Sequence, residues 1–116
     1  FFMLSCASMK SIPLVDTNST IVGTFTTKQV KEAIISGGKS KGWKLKDEGA
    51  TSVNLVLKQG IHEVEVKVTY DKAAYKITYV DSQNMLYNPN YKNGPIIHRT
   101  YRRWVINLDG AIQKFL

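Results

Sequence analysis

A chain of 116 residues with 43% hydrophobic and 22% charged residues has the composition of one globular domain, which excludes a disordered or collagen-like protein. The single cysteine, Cys6, excludes an intrachain disulfide and a cysteine-rich zinc site. With only two histidines as well, we expect no metal site and no cofactor. Sixteen Lys and Arg against nine Asp and Glu give a net charge of +7, which favours anionic partners such as nucleic acid, phospholipid headgroups or acidic polymers.

The N-terminus runs from apolar side chains directly into the only cysteine. Met3-Leu4-Ser5-Cys6 resembles a bacterial lipobox, in which a signal peptide ends before a cysteine whose thiol receives a diacylglycerol. The resemblance implies that residues 1–5 are a signal-peptide remnant and that Cys6 is the lipid attachment site. Ala7 stands where the inner-membrane retention signal of enteric bacteria has aspartate, which implies the outer membrane. The alternative is a free cysteine in a frayed apolar tail.

The segment after the cysteine resembles a linker. Residues 7–23 are rich in Ser, Thr and Asn and show no sustained helical or strand period. Residues 6–24 are therefore expected to be the lipidated cysteine and a flexible tether, which as a coil holds the domain about 20–25 Å from the anchor. The folded domain is expected over residues 25–116.

The first predicted helix has clear start and stop signals. Thr26 and Gln29 have the spacing of a capping box, and Phe25 and Val30 occupy the positions of a hydrophobic staple. Gly37-Gly38 predicts the end of the helix.

Four runs of alternating apolar and polar side chains then predict four strands, at residues 43–46, 53–58, 62–70 and 75–80. The breaks between them are short, so the strands are expected to be antiparallel neighbours. After the Asn- and Pro-rich loop 82–95, the apolar stripe from Tyr101 to Phe115 predicts a second helix. The predicted fold is a two-layer α+β domain in the order α-β-β-β-β-α, with both helices on one face of a four-stranded antiparallel meander.

The second half of the chain carries the pattern Tyr79-x-Asp81-Ser82-x-Asn84-x-Leu86-Tyr87, followed by Ile97-His98 and Tyr101-x-x-Trp104. This pattern is similar to that of small, largely uncharacterised bacterial lipoproteins with a two-layer α+β domain. The resemblance implies that fold and brings no catalytic or binding residues with it.

Residues for catalysis are scarce. No serine occupies a G-x-S-x-G elbow. Glu63 and Glu65 point from one strand face together with several lysines, which is typical of a solvated, charge-balanced surface. The glycines of residues 37–42 follow a helix and precede a strand, the reverse of a phosphate loop. His62 is expected to lie at the rim of the core. Because residues for catalysis are scarce, the protein is expected not to be an enzyme.

A cationic cluster at the start of the last helix is one candidate binding site. It consists of His98, Arg99, Arg102 and Arg103. Exposed cations at a helix N-terminus oppose the helix dipole, so the cluster either binds an anion, or its guanidinium groups pair with Asp81 or lie over aromatic rings.

Tyr87 and Tyr91 in the loop 82–95 are the other candidates. A loop of this length with two tyrosines is either a lid packed on the helix or a recognition surface.

The leading hypothesis is a non-enzymatic, lipid-anchored protein on the periplasmic side of the bacterial envelope, held in the membrane by acyl chains on Cys6. Its domain would bind a protein partner or an anionic lipid or polymer. The alternative is a basic α+β nucleic-acid-binding module. Stacking on bases requires aromatic residues on the open sheet face, whereas Tyr75 and Tyr79 alternate with the core face.

Overall fold

The computed structural model describes residues 10–116, which form an α+β fold of seven strands and two helices. The strands are β1 (Ser11–Pro13), β2 (Thr17–Thr20), β3 (Lys44–Glu48), β4 (Ser52–Gln59), β5 (His62–Tyr70), β6 (Ala74–Gln83) and β7 (Ile96–His98). The helices are α1 (Thr27–Ser40) and α2 (Thr100–Lys114).

The strands form two sheets rather than the single four-stranded sheet that was expected. The larger sheet has five strands in the order β2-β6-β5-β4-β3, and β1 pairs with β7 in a separate two-stranded sheet. All of these pairings are antiparallel. The predicted order α-β-β-β-β-α is therefore wrong, because two strands precede α1 and a seventh strand precedes α2.

The additional strands lie in segments that were predicted to be irregular. β1 and β2 fall within the expected tether of residues 6–24, and β7 begins just after the loop 82–95. They have only three or four residues each, and Thr17–Thr20 is polar on both faces. Period-two hydrophobicity could not reveal them, because they are stabilised by backbone pairing with distant segments. The folded domain therefore begins before residue 25, and Cys6 lies outside the described residues.

The start of α1 is confirmed, but its end was predicted too early. Thr26 Oγ1 accepts a hydrogen bond from the Gln29 backbone, and the Gln29 side chain accepts one from the Thr26 backbone, so the capping box is complete. The helix continues through Gly37 and Gly38 to Ser40. Gly42, with φ of +88°, is the residue that ends it. The Gly42 N–H donates to the Lys39 carbonyl, and the Trp43 N–H donates to the Gly38 carbonyl. These two hydrogen bonds form a Schellman motif.

Gly37 instead allows the two helices to approach closely. A Cβ atom at this position would lie 2.7 Å from the backbone nitrogen of Ile112 and 2.9 Å from the carbonyl carbon of Ala111. These distances are shorter than any normal van der Waals contact, so only glycine fits between the two helix backbones.

Both helices pack on the same face of the five-stranded sheet. Val30 and Ile34 of α1 and Leu108 and Ile112 of α2 are fully buried with the apolar side chains of β4 and β5 in one core. The opposite face of the sheet is uncovered in the part of the chain that the structure describes. This face is polar and carries most of the strand lysines.

A hydrogen-bond network ties α2 to the sheet edge formed by β2 and β6. The Asp109 carboxylate accepts hydrogen bonds from the hydroxyls of Ser19, at 2.8 Å, and Tyr75. The Gln113 side-chain amide donates to the Tyr75 oxygen at 3.0 Å. Burial, together with the neighbouring Asp109 carboxylate, raises the pKa of Tyr75 above its ordinary value, so the phenol stays protonated and acts as a donor to Asp109.

Replacement of Gly37 by alanine is expected to destabilise the protein by about 2 kcal/mol, because the added methyl group would collide with the α2 backbone. Gly110→Ala is the matched control, since Gly110 is also helical and nothing lies within 4 Å of its Cβ position. That change is expected to stabilise the protein by up to about 1 kcal/mol through helix propensity. Denaturant unfolding of both variants measures the difference, and equal stabilisation by both would contradict the close helix contact.

Asp109→Ala is expected to cost about 2 kcal/mol, because two partly buried hydroxyls lose a charged acceptor. Asn107→Ala, at an exposed position two residues earlier in the same helix, is expected to change the stability by less than about 0.5 kcal/mol. Thermal or urea unfolding measures the change in stability of each variant. Similar losses in both variants would show that the network does not contribute.

Candidate functional site

Two adjoining grooves flank β1. The first lies between the β1–β2 segment and α2, and its walls include Ile12, Pro13, Val15, Arg102 and Ile106. The second groove is also lined by Ile12 and Pro13. Its other walls are Lys10 and Ser11 at the start of the described chain, Tyr91 and Asn93 of the loop 82–95, and Ile96 of β7. The two grooves share Ile12 and Pro13. We call the residues of both grooves the β1 surface.

Backbone hydrogen bonds hold β1 in place between the loop and α2. Ile12 pairs with Ile97 in the two-stranded sheet. The Leu14 N–H donates to the Pro95 carbonyl at 2.9 Å, and the Arg99 N–H donates to the Lys10 carbonyl at 2.7 Å. The chain therefore enters the described part of the fold beside the N-terminus of α2.

The β1 surface exposes large apolar side chains next to each other. Val15 is 68% exposed and Ile106 is 55% exposed, although both line the same groove. Tyr91 is 43% exposed on the other side of β1. The first groove has a volume of about 240 Å³, below the range of about 300–1,000 Å³ that is typical of small-molecule pockets. The second groove, with a volume of about 450 Å³, falls within that range.

Cations cover the exposed face of α2. Arg99, Arg102, Arg103 and Lys114 are all exposed. The acid of this helix, Asp109, is bound to the hydroxyls of Ser19 and Tyr75 on the sheet side.

The predicted neutralisation of these cations by Asp81 is absent for two of them. Within residues 10–116, neither Arg102 nor Arg103 forms an ion pair. Asp81 lies on β6, where its side chain accepts a hydrogen bond from the Ser82 backbone. The exposed face of α2 therefore keeps a strong positive charge.

At the start of α2, Arg99 provides no side-chain cap, and the side chain of His98 accepts a backbone hydrogen bond instead. Its Nδ1 accepts a hydrogen bond from the Thr100 N–H at 3.0 Å, and its ring lies 5.8 Å from the ring of His62. Burial, followed by the positive charge of His62, Arg99 and Lys10, lowers the pKa of His98 below its ordinary value of 6.5. His98 is thus a structural acceptor whose Nδ1 must be unprotonated.

The loop 82–95 is partly a lid and partly exposed. Met85 is only 1% exposed and is held between Asn84 and Leu86, both of which have a positive φ, of 56° and 55°. A positive φ is uncommon for residues other than glycine, and here burial of the intervening side chain stabilises it. The ring of Tyr87 lies 4.4 Å from that of Tyr79. Tyr87 therefore packs on the domain, whereas Tyr91 reaches the β1 surface.

The open face of the sheet shows the charge balance that was predicted for Glu63 and Glu65. The Glu65 carboxylate accepts hydrogen bonds at 2.8 Å from Lys46 and from Asn54, and these bonds lower the pKa of Glu65 below 4.5. Glu65 is accordingly an ionised structural group. The His62 Nδ1, at the start of β5, lies 2.7 Å from the Asn84 carbonyl oxygen, and this contact supports the loop.

The structure brings together only some of the predicted binding residues. Arg102 and Tyr91 lie on opposite sides of β1, and Arg99 bonds to the chain that leads into it. The ring of Tyr87 packs on that of Tyr79, and His98 accepts a hydrogen bond from the Thr100 N–H, so both side chains contact other parts of the fold. Sequence reasoning missed Val15 and Ile106, because a single exposed apolar side chain has no distinct signal in the sequence.

The chain matches no protein-family model and no curated protein. Among residues 10–116, no three His, Cys, Asp or Glu side chains are grouped closely enough to hold a metal ion. Neither α1, with 14 residues, nor α2, with 15, is long and apolar enough to cross a bilayer.

The fold is expected to lose stability in mild acid. Because the pKa of His98 is lowered in the folded state, the unfolded chain binds more protons once the pH falls below about 6.5. The contribution of neutral His98 is complete above that pH and declines as the pH falls through the window below it. Urea unfolding between about pH 5 and pH 8 measures the dependence.

His98→Asn is the diagnostic variant, since an amide oxygen can accept from Thr100 without titrating. It is expected to flatten the pH dependence, whereas His62→Asn, the matched control, is expected to leave much of it in place. An unchanged pH slope in His98→Asn would refute the assignment.

Proposed function

We propose that the protein is a lipid-anchored, non-enzymatic component of the bacterial cell envelope, attached to the membrane through acyl chains on Cys6. Its domain binds an anionic envelope component through the cations at the N-terminal end of α2: Arg99, just before the helix, and Arg102 and Arg103 in its first turn. With Ala7 after the cysteine, the proposed location is the periplasmic side of the outer membrane. The lipobox resemblance of Met3-Leu4-Ser5-Cys6 is the sequence basis of the anchor.

One observation carries the proposal: the backbone of Lys10 is bonded to that of Arg99, at the N-terminus of the cationic helix. Four Cα-to-Cα steps separate Cys6 from Lys10, and a fully extended chain covers them in at most about 14 Å. This reach is shorter than the 20–25 Å expected of a seventeen-residue coil. A lipid on Cys6 would therefore hold the cationic end of the domain close to the membrane.

The arrangement of polar groups supports a binding role over an enzymatic one. Within the described part of the chain, no serine or threonine hydroxyl is hydrogen-bonded to a histidine. The best-connected carboxylates, Asp109 and Glu65, are each engaged in structural bonds. A nucleophile and its base need such mutual contact.

The nucleic-acid alternative has weaker support. Tyr70, Tyr75 and Tyr101 are buried, and Tyr79 packs against Tyr87. The open sheet face carries lysines without aromatic partners, so it lacks the stacking platform that single strands require.

Intact-protein mass spectrometry of native protein from a cell-envelope fraction tests the anchor. The expected mass is that of a chain beginning at Cys6 with acyl groups added. After an alkaline carbonate wash, which releases proteins bound only to the bilayer surface, Cys6→Ser is expected in the soluble fraction, while Ser8→Ala, the matched control, stays in the membrane pellet. An unmodified protein in the soluble fraction would refute the proposed function.

A further inference from the structure

We propose that the partner of this domain is the surface of an anionic lipid bilayer, on which the β1 surface lies with Val15 and Ile106 inserted among the headgroups. This inference rests on the proposed function, and it names the anionic component.

Apolar and cationic side chains share the same groove. Val15 and Ile106 are both exposed, and they line this groove together with Arg102. Single exposed apolar residues are ordinary on protein surfaces, but here two line one groove, and its Ile12 and Pro13 also line the second groove with Tyr91. Apolar side chains flanked by arginine and tyrosine are typical of the interfacial region of a bilayer.

The charge around this surface complements anionic headgroups. The neighbouring face of α2 carries Arg102 and Arg103 without an acidic partner among the described residues. The acid next to Val15 in the chain, Asp16, lies 3.5 Å from the ammonium group of Lys76. An anionic membrane would therefore meet cations with few opposing carboxylates, and long-range attraction would orient this side of the domain toward it.

The direction of the chain agrees with this orientation. The described residues begin at Lys10, which itself lines the second groove. The Cα atom of Cys6 can therefore be at most about 14 Å from that of Lys10. The open sheet face, by contrast, has its Lys46 and Glu65 charges paired and lies on the other side of the sheet from the helices.

Binding of the full chain carrying Cys6→Ser to vesicles tests the inference without the anchor. The unlipidated protein is expected to bind phosphatidylglycerol-containing vesicles and to bind pure phosphatidylcholine vesicles much less. Arg102→Glu with Arg103→Glu is expected to weaken binding at least about tenfold. The control with the same charge change, Lys44→Glu with Lys58→Glu on the open sheet face, is expected to change it less than about threefold.

Insertion is tested separately from charge. Ile106→Ser is expected to weaken vesicle binding about tenfold even in high salt, because it removes buried apolar area. Ile61→Ser, at an exposed position in the β4–β5 turn, is the matched control and is expected to have no effect. In Ile106→Trp, the new indole should shift its emission to shorter wavelength on anionic vesicles, a change that the buried Trp43 and Trp104 do not produce in the parent protein.

Three results would overturn the inference. These are no binding to anionic vesicles, equal behaviour of Ile106→Ser and Ile61→Ser, and tighter binding of single-stranded nucleic acid through the same arginines. Acylated Cys6 together with absent vesicle binding would remove only this inference and leave the proposed function. Unmodified Cys6 together with Ile106-dependent vesicle binding would remove the proposed anchor and support the membrane surface.

Discussion

The rotation of α2 about its own axis is the constraint on which the rest of the molecule depends. Two contacts in its C-terminal half set that rotation. Gly37 of α1 allows the two helix backbones to touch, and Asp109 bonds to hydroxyls on β2 and β6. With this side of the helix held, the 3.6-residue period turns Arg102, Arg103 and Ile106 outward. The charge of the surface and its apolar patch both follow from packing at the opposite side of the helix.

The β1 surface is assembled from segments that have little stability of their own. β1 has three residues and β7 has three, and an isolated pair of such strands would not persist in water. Their position depends on backbone hydrogen bonds to the loop 82–95 and to the start of α2. In that loop, Met85 is buried at the cost of two positive φ angles. Local unfolding of this end is therefore expected to be easier than unfolding of the sheet core.

Much of the interior was predictable because it follows simple periods. The capping box at Thr26 and the apolar stripe of α2 as far as Ile112 were confirmed. The ion pair of Glu65 with Lys46 agrees with the predicted charge balance, but Glu65 is buried rather than solvated, and Phe115 is exposed. Gly37-Gly38 was interpreted wrongly as a helix end, since glycine serves equally well as a terminator and as a point of close approach. Only the partner helix distinguishes these two uses. For the candidate site, the arginines and Tyr91 could be named from the sequence, whereas Val15 and Ile106 could not.

The sequence by itself determined the α+β class, the two helices, the positions of the four long strands and the excess of positive charge. These features are local or compositional, so neighbouring residues contain the information. The tertiary structure alone decided the fifth strand of the larger sheet, the β1–β7 pair and the meeting of Arg102, Tyr91 and Val15 around β1. The physical reason is that these short strands gain their stability from backbone pairing with residues 54 to 87 positions away, and such pairing leaves no periodic trace in the strands themselves.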